Sequence, residues 1–319
     1  MPSLARILCP IDFSDTSRRA VECALALAQW HEARLSVLHV FATNVAVADA
    51  IPAFGGVGMP PLTLNDTDRD ALLAEMRAFV GPAAGEIPVE LLLQEGPDVR
   101  AEILAEAGAF QVDLIVMGSH GRTGLPRLLL GSVADAVLRQ APCPVLVVPP
   151  HAPDAAMHVP FKRIVCPVDF SPISRCAVSY ALALAQEDDA EITLVHSLDI
   201  PPELREYAVP EPIDRDTLHA AASADALQRL RALVPDRARD FCTVHTEITD
   251  GRPHRAVLQL AAERQADLIV MGAHGRSAID RLVFGSNTYA VIRDASCPVL
   301  AVHPRLSAPG SSAAAASAG

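Results

Sequence analysis

Lysine is almost missing from this chain. Lys162 is the single lysine among the 26 basic residues, so arginine carries nearly all of the positive charge. Lys162 follows Phe161 rather than a glycine, and Arg163 rather than Ser or Thr comes next. A phosphate loop of the form G-x-x-x-x-G-K-S/T is therefore absent. Lysine Schiff-base chemistry would depend on that one residue, which argues against it. Aromatic residues are also scarce, at 4%, and leave few platforms on which single-stranded bases could stack. Positive charge is outweighed, 26 basic against 38 acidic residues, for a formal net charge of -12. A duplex-binding protein carries the opposite footprint, so no nucleic-acid partner is expected.

Cysteine pairs are missing too. Cys9, Cys23, Cys143, Cys166, Cys176, Cys242 and Cys297 form no C-x-x-C, are odd in number, and in several cases sit inside apolar runs. Reduced, buried thiols in a cytoplasmic protein are the expectation. Residues 1–12 are too soon interrupted to read as a signal peptide. No apolar stretch reaches the length of a membrane span, so no membrane partner is expected. No H-E-x-x-H or paired Cys/His cluster suggests a metal site, and no G-x-S-x-G elbow suggests a serine nucleophile.

What is present is a sequence written twice. The 319 residues, half of them hydrophobic, suit two domains of about 150 residues each. RILCPIDFS at 6–14 matches RIVCPVDFS at 163–171, and ALALAQ at 24–29 recurs at 181–186. DLIVMG at 113–118 recurs at 267–272, and CPVL at 143–146 recurs at 297–300. The offset is 157 early and 154 late, so this is a tandem duplication. In the first copy, apolar runs at 6–11, 35–40, 88–93, 114–117 and 144–148 read as strands. Segments 14–29, 65–80, 98–107 and 132–140 read as helices, with Asn65 or Asp66 capping the second. Continuous apolar strands alternating with helices predict an α/β fold with a parallel sheet covered on both faces. The expected layout is a first domain at 1–150, a linker at 151–160, a second domain at 161–305 and a disordered Ala/Ser/Gly-rich tail at 306–319. The proline- and glycine-rich stretch 51–61 reads as a loop, and the acidic stretches 65–70 and 211–216 as solvated helix starts.

The most informative residues follow the fourth strand. Gly118-x-x-Gly121 is followed after nine residues by Gly131 and Ser132, which open a helix. The second copy repeats this with Gly272-x-x-Gly275, then Gly285 and Ser286. Glycines let backbone N–H groups approach an anion, and a helix N-terminus adds unpaired donors and a positive dipole end. The serine hydroxyl is placed to cap the helix, or to touch a phosphate or a metal on it. Either glycine pattern alone also serves as a plain turn. Asp12 and Asp169 end the first strand of each copy; each is placed for ligand contact or for capping its own turn through an Asx hydrogen bond. His39 and His196 read as structural histidines that end the second strand of each copy. His120, His274, Arg122 and Arg276 fall in or beside the glycine loops and read equally well as solvated loop residues.

With G-2x-G-9x-G-S/T intact in both copies, and the P-x-D-F-S and C-P-V-L segments beside it, the chain resembles a tandem universal stress protein. The resemblance covers nearly the whole chain. It implies two Rossmann-like domains of the adenine nucleotide alpha hydrolase-like kind, each with five parallel strands in the order 3-2-1-4-5. It also implies ATP, with Mg2+, across the crevice between strands 1 and 4. Carried over by position, the adenine and ribose end falls to Pro10, Ile11 and Asp12, and in the second copy to Pro167, Val168 and Asp169. Val40 matches a position against the base, and its counterpart is Ser197, a departure from the pattern. Met117, Gly118, Gly121, Gly131, Ser132, Val133 and Ala134 match the ribose and phosphate contacts. The second set is Met271, Gly272, Gly275, Gly285, Ser286, Asn287 and Thr288. Asn287 and Thr288 bring more polar groups than Val133 and Ala134, so the two sites are expected to differ in affinity.

Three functions remain open at this level. The first is an ATP-binding regulatory module that signals to an unidentified protein partner by ordering the loops at 51–61 and 201–212. The second is a slow ATP hydrolase, the most that a site without lysine suggests. The third is a nucleotide-free interaction scaffold whose glycine loops are inherited turns. The two copies are also expected to form an intramolecular pseudo-dimer through their last strands, which would cover two apolar edges; a homodimer of the whole chain is a further expectation.

Overall fold

The computed structural model describes residues 4–43, 63–82, 87–121, 130–150, 152, 159–186, 190–199, 215–273 and 284–303. The expected loops at 51–61 and 201–212 and the tail at 306–319 lie outside them, as do Arg122, His274, Gly275, Arg276 and most of the expected linker.

The first repeat alternates strand and helix: β1 Arg6–Ile11, α1 Asp15–Trp30, β2 Arg34–Ala42, α2 Asp66–Val80, β3 Val89–Gly96, α3 Val99–Ala109, β4 Leu114–Gly118, α4 Ser132–Gln140 and β5 Val145–Val148. The second follows with β6 Arg163–Pro167, α5 Pro172–Gln186, β7 Glu191–Leu198, α6 Arg215–Ala232, β8 Thr243–Asp250, α7 Pro253–Glu263, β9 Leu268–Gly272, α8 Ser286–Asp294 and β10 Val299–Val302. A short 3-10 helix, Asp236–Asp240, precedes β8.

All ten strands join one sheet in the order β3-β2-β1-β4-β5-β10-β9-β6-β7-β8. Each repeat is parallel, in the order 3-2-1-4-5. The repeats meet where β5 and β10 pair antiparallel, Leu146 opposite Leu300 and Val145 opposite Ala301. The last strands are only four residues long and wholly buried, so each would be an aggregation-prone edge without the other. Two apolar clusters line the two faces of the sheet, and each draws residues from both repeats. One packs under α1, α2, α5 and α6, the other under α3, α4, α7 and α8. Leu8 belongs to the second and its neighbours Ile7 and Cys9 to the first, which is the period-two alternation of a strand covered on both faces.

The start of β1 is held by Asp113, whose Oδ2 accepts from the backbone N–H of Ala5 at 3.0 Å and of Arg6 at 3.1 Å. The second repeat copies the device with Asp267, which accepts from Lys162 N at 2.8 Å and Arg163 N at 2.9 Å. Asp267 is 7% exposed. Burial pushes its carboxyl above the ordinary range, and the two N–H donors pull it partly back. Six of the seven cysteines are buried, as expected, whereas Cys176 is exposed on α5. Burial drives the thiols of Cys23 and Cys297 up to about 12, and those of Cys9 and Cys166 also rise well above the ordinary range. Such thiols are chemically quiet.

Candidate functional site

In each repeat the strand order reverses direction between the first and fourth strands, which is where open α/β sheets form their ligand crevice. The register makes the crevice explicit. β1 pairs with β2 along its whole length, but with β4 only through Ile7 opposite Leu114 and Leu8 opposite Ile115. Pro10 has no N–H to extend the ladder, so the carboxyl ends of β1 and β4 part. β6 and β9 do the same, pairing only at Ile164 with Leu268 and Val165 with Ile269 ahead of Pro167.

The first crevice encloses about 330 Å3 and is lined by Pro10, Ile11, Asp12, Met117, Gly118, Gly121, Gly131, Ser132, Val133 and Ala134, with Ser17, Val99, Ile103, Ser119 and His120 completing the wall. The second encloses about 290 Å3 and is lined by Pro167, Val168, Asp169, Met271, Gly272, Gly285, Ser286, Asn287 and Thr288, with Ser174, Val195, His196, Ser197, Pro253, His254, Val257 and Val291. Both lie near the lower end of the size range of small-molecule sites, about 300–1,000 Å3. Of the sequence-predicted residues, Val40 is placed elsewhere: it is 7% exposed within the apolar cluster beneath the crevice and does not line it. Its counterpart Ser197 does line the second crevice, with its hydroxyl donating to the Gly251 carbonyl at 2.6 Å.

In the first repeat the helix at the crevice begins differently from its neighbours, and α8 repeats its start. α1 is capped by Ser14, α2 by Asn65 and α3 by Asp98, each side chain accepting a first-turn N–H. α4 and α8 are instead preceded by Gly131 and Gly285, which have no side chain to do this. Ser132 and Ser286 are the first helical residues, not caps, and both are exposed. The amides of Gly131 and Gly285 are already used, donating to Ser119 O at 2.9 Å and Ala273 O at 3.0 Å. The next three residues of each helix carry amides that have no intrahelical acceptor, and all three line the cavity. An anion is the natural partner for such a set, because the dipole end and the donors act together.

Packing also constrains the loop, most firmly at Gly118. A Cβ on Gly118 would meet the Thr16 backbone carbonyl carbon at 3.0 Å, and one on Gly121 would meet Asp12 Oδ2 at 2.5 Å. β4 and its loop therefore lie directly against the first turn of α1, and the Thr16 hydroxyl fixes this by donating to the His120 carbonyl. Asp12 forms the Asx turn that the sequence left open. Its Oδ1 accepts from Ser14 N at 3.1 Å and Ser14 Oγ at 2.5 Å, an Asx turn, while the residue lines the cavity. Asp169 repeats the turn with Ser171 N at 3.0 Å.

The sequence reading missed the residue between aspartate and serine. Phe13 and Phe170 adopt positive φ, 62° and 63°, a left-handed conformation that is uncommon for a bulky side chain. What holds them there is the histidine of the second strand. His39 Nδ1 bonds the Ile11 carbonyl at 2.9 Å and its ring lies 4.7 Å from Phe13. His196 does the same with Val168 O at 2.7 Å and Phe170 at 4.7 Å. These structural histidines sit inside β2 and β7 rather than at their ends. The D-F-S written in both copies was the available signal. The α3 and α7 walls, Val99 and Ile103 or Pro253, His254 and Val257, carry no motif and reach the cavity only through the packing of these helices on the sheet.

The two crevices differ in polarity, but not through Thr288. That residue is 4% exposed, and its hydroxyl donates to the Gly272 carbonyl at 2.9 Å. Among the described residues no group of three or more His, Cys, Asp and Glu is arranged to hold a metal ion, and no helix is long and apolar enough to cross a membrane.

A model of the universal stress protein family matches residues 4–149 and 160–303. A universal stress protein of Mycolicibacterium smegmatis is 29% identical over 306 residues, covering 94% of this chain and 97% of that protein. One from Mycobacterium tuberculosis is 31% identical over 272 residues, 83% of this chain and 86% of that protein. The crystal structure of a universal stress protein from Archaeoglobus fulgidus superposes with a TM-score of 0.62 at 22% identity, over 95% of this chain and 99% of that one, a likeness of fold. With its duplicated strand-to-helix glycine motif and two matched segments, the chain belongs to the universal stress protein family and carries that family's domain twice in tandem.

Proposed function

We propose that each repeat binds an adenine nucleotide, ATP with Mg2+, and that the chain acts as a regulatory module rather than as a catalyst of rapid turnover. The observation that carries this is the uncapped first turn of α4 and of α8, opening onto a cavity at the switch point of each repeat. The base and ribose would lie toward the β1 corner at Asp12 and the β6 corner at Asp169, with the phosphates on the amides of residues 132–134 and 286–288. Mg2+ would arrive on the phosphates, since no protein cluster among the described residues offers it a site. Hydrolysis is slow in this reading, because the Oδ1 of Asp12 is engaged with Ser14 rather than poised to take a proton from water.

A nucleotide-free scaffold has one observation in its favour, that Gly118 is needed by packing alone. Melting the chain with and without ATP and Mg2+ separates the two. Binding at 100 times Kd raises stability by about 2.7 kcal/mol, so a rise in Tm that is lost in Asp12→Ala supports nucleotide binding. An unchanged Tm in saturating ATP refutes it.

A further inference from the structure

Among the described residues, the two repeats differ in the charge carried at the helix starts beside their crevices. In the first repeat α3 is capped by the carboxylate of Asp98, with Glu102 also in its first turn. Arg100 turns back onto that cap, Nε to Oδ1 at 2.8 Å and Nη2 to Oδ2 at 2.9 Å. The first turn of α4 carries Asp135, held by Arg139 at 2.9 Å. Among the described residues, the first turns of α3 and α4 therefore each carry an acid, with Arg100 committed to Asp98 and Arg139 to Asp135, while His120 of the glycine loop also lines this crevice.

The second repeat has none of this. The cap of α7 is Arg252, which makes no side-chain cap bond, and the first turn holds His254 and Arg255 but no acid. The first turn of α8 also lacks an acid. His254 Nδ1 lies 3.2 Å from Asn287 Oδ1, tying the two helix starts together at the cavity wall, and both residues line the cavity. In the first repeat the residue matching Asn287 is the apolar Val133. Of the carboxylates around α7 and α8, Asp250 is bonded to His219 Nε2 at 2.6 Å, and Asp294, at the far end of α8, is paired with Arg293 and also feels the charge of His254. Asp169 is common to the two sites as the counterpart of Asp12.

We propose that the second crevice is the site for highly charged, polyphosphate nucleotides, and that His254 and Asn287, together with the acid-free starts of α7 and α8, give it this preference over the first; the Arg252 side chain lines a separate cavity with Glu247, Asp250 and Glu263. The inference rests on reading both cavities as nucleotide sites. Two helix N-termini with no acid in their first turns face one cavity, and each acid removed from such a turn favours an anion there. A nucleoside triphosphate gains most from this and a monophosphate least, so the second site separates ligands by charge whereas the first accepts both with similar affinity. The preference is electrostatic and fades as salt rises.

The test is calorimetric titration of the full chain with ATP and Mg2+ and, separately, with AMP, at low and high salt. The expected result is one tight and one weaker equivalent of ATP, separated by about tenfold, and two similar equivalents of AMP. Arg252→Asp, which installs the acid of the first repeat, and the double change His254→Val with Asn287→Val each abolish the tight class. The reciprocal Asp98→Arg tightens the weaker one. Melting curves of each variant confirm that it is folded. Two equivalents of equal ATP affinity, or a tight class that survives both second-repeat variants, overturn this inference and leave nucleotide binding intact. No binding of either nucleotide overturns the parent reading and the inference with it.

Discussion

The packing of the glycine loop against α1 makes a prediction with a definite sign. A methyl added at Gly118 would stand 3.0 Å from both the backbone carbonyl carbon and the Cβ of Thr16. Neither atom is the end of a flexible chain. Thr16 is in the first turn of α1 and is tied to the same loop through its hydroxyl, so the strand and the helix must separate together. Overpacking of this kind costs about 1–3 kcal/mol. For about 300 residues unfolding as one unit, each kcal/mol lowers Tm by roughly 1–2 °C. Gly108 is the control: it lies in α3, and a Cβ there meets nothing within 4 Å. Gly108→Ala therefore gains helix propensity and stabilises by up to about 1 kcal/mol. Thermal and urea unfolding of the two variants should move in opposite directions. If Gly118→Ala is neutral or stabilising, the loop does not lie on α1 and the described crevice is wrong.

Two further perturbations probe other parts of the fold. Leu300 is 5% exposed at the seam, opposite Leu146, beside a small apolar cavity of about 30 Å3; Leu300→Ala should cost about 2–5 kcal/mol in urea unfolding. Because the apolar clusters run through both repeats, the wild type should unfold in one transition, and two well-separated transitions would show that the seam does not couple them. Asp267 has a carboxyl raised above its ordinary value of 3.8 by burial. Its folded form holds a proton more tightly than its unfolded form, so its contribution to stability is full below that value and is lost as pH rises through the folded pKa. The stability of wild type minus that of Asp267→Asn should accordingly fall with rising pH in the acid range, and a flat or rising difference contradicts the assignment.

Much of this architecture was legible in the sequence because duplication prints the signal twice. The α4 helix falls at residues 132–140 as the glycine-serine start predicts, and the apolar runs fix nine-tenths-buried strands such as β4 and β5 to within a residue or two. Pairing of β5 with β10 followed from two short apolar edges that needed cover. What was not legible depends on contacts distant in sequence. The left-handed Phe13 is held by His39. Val40, expected against the base, is buried beside Leu38 in the cluster and is not among the residues that line the cavity. The Thr288 hydroxyl, a candidate ligand group by composition, is taken by the Gly272 carbonyl. His254 gave no motif signal, and only the packing of α7 beside α8 brings it to the cavity wall.

The most direct measurement is to count small molecules. Protein purified without added nucleotide is denatured, the released compounds are identified by mass spectrometry, and the refilled protein is then dialysed to equilibrium against radiolabelled ATP with Mg2+. The uncapped helix starts in both repeats predict an adenine nucleotide among the released compounds and saturation at two ATP per chain. Release of no nucleotide, together with no ATP retained on dialysis, contradicts the account.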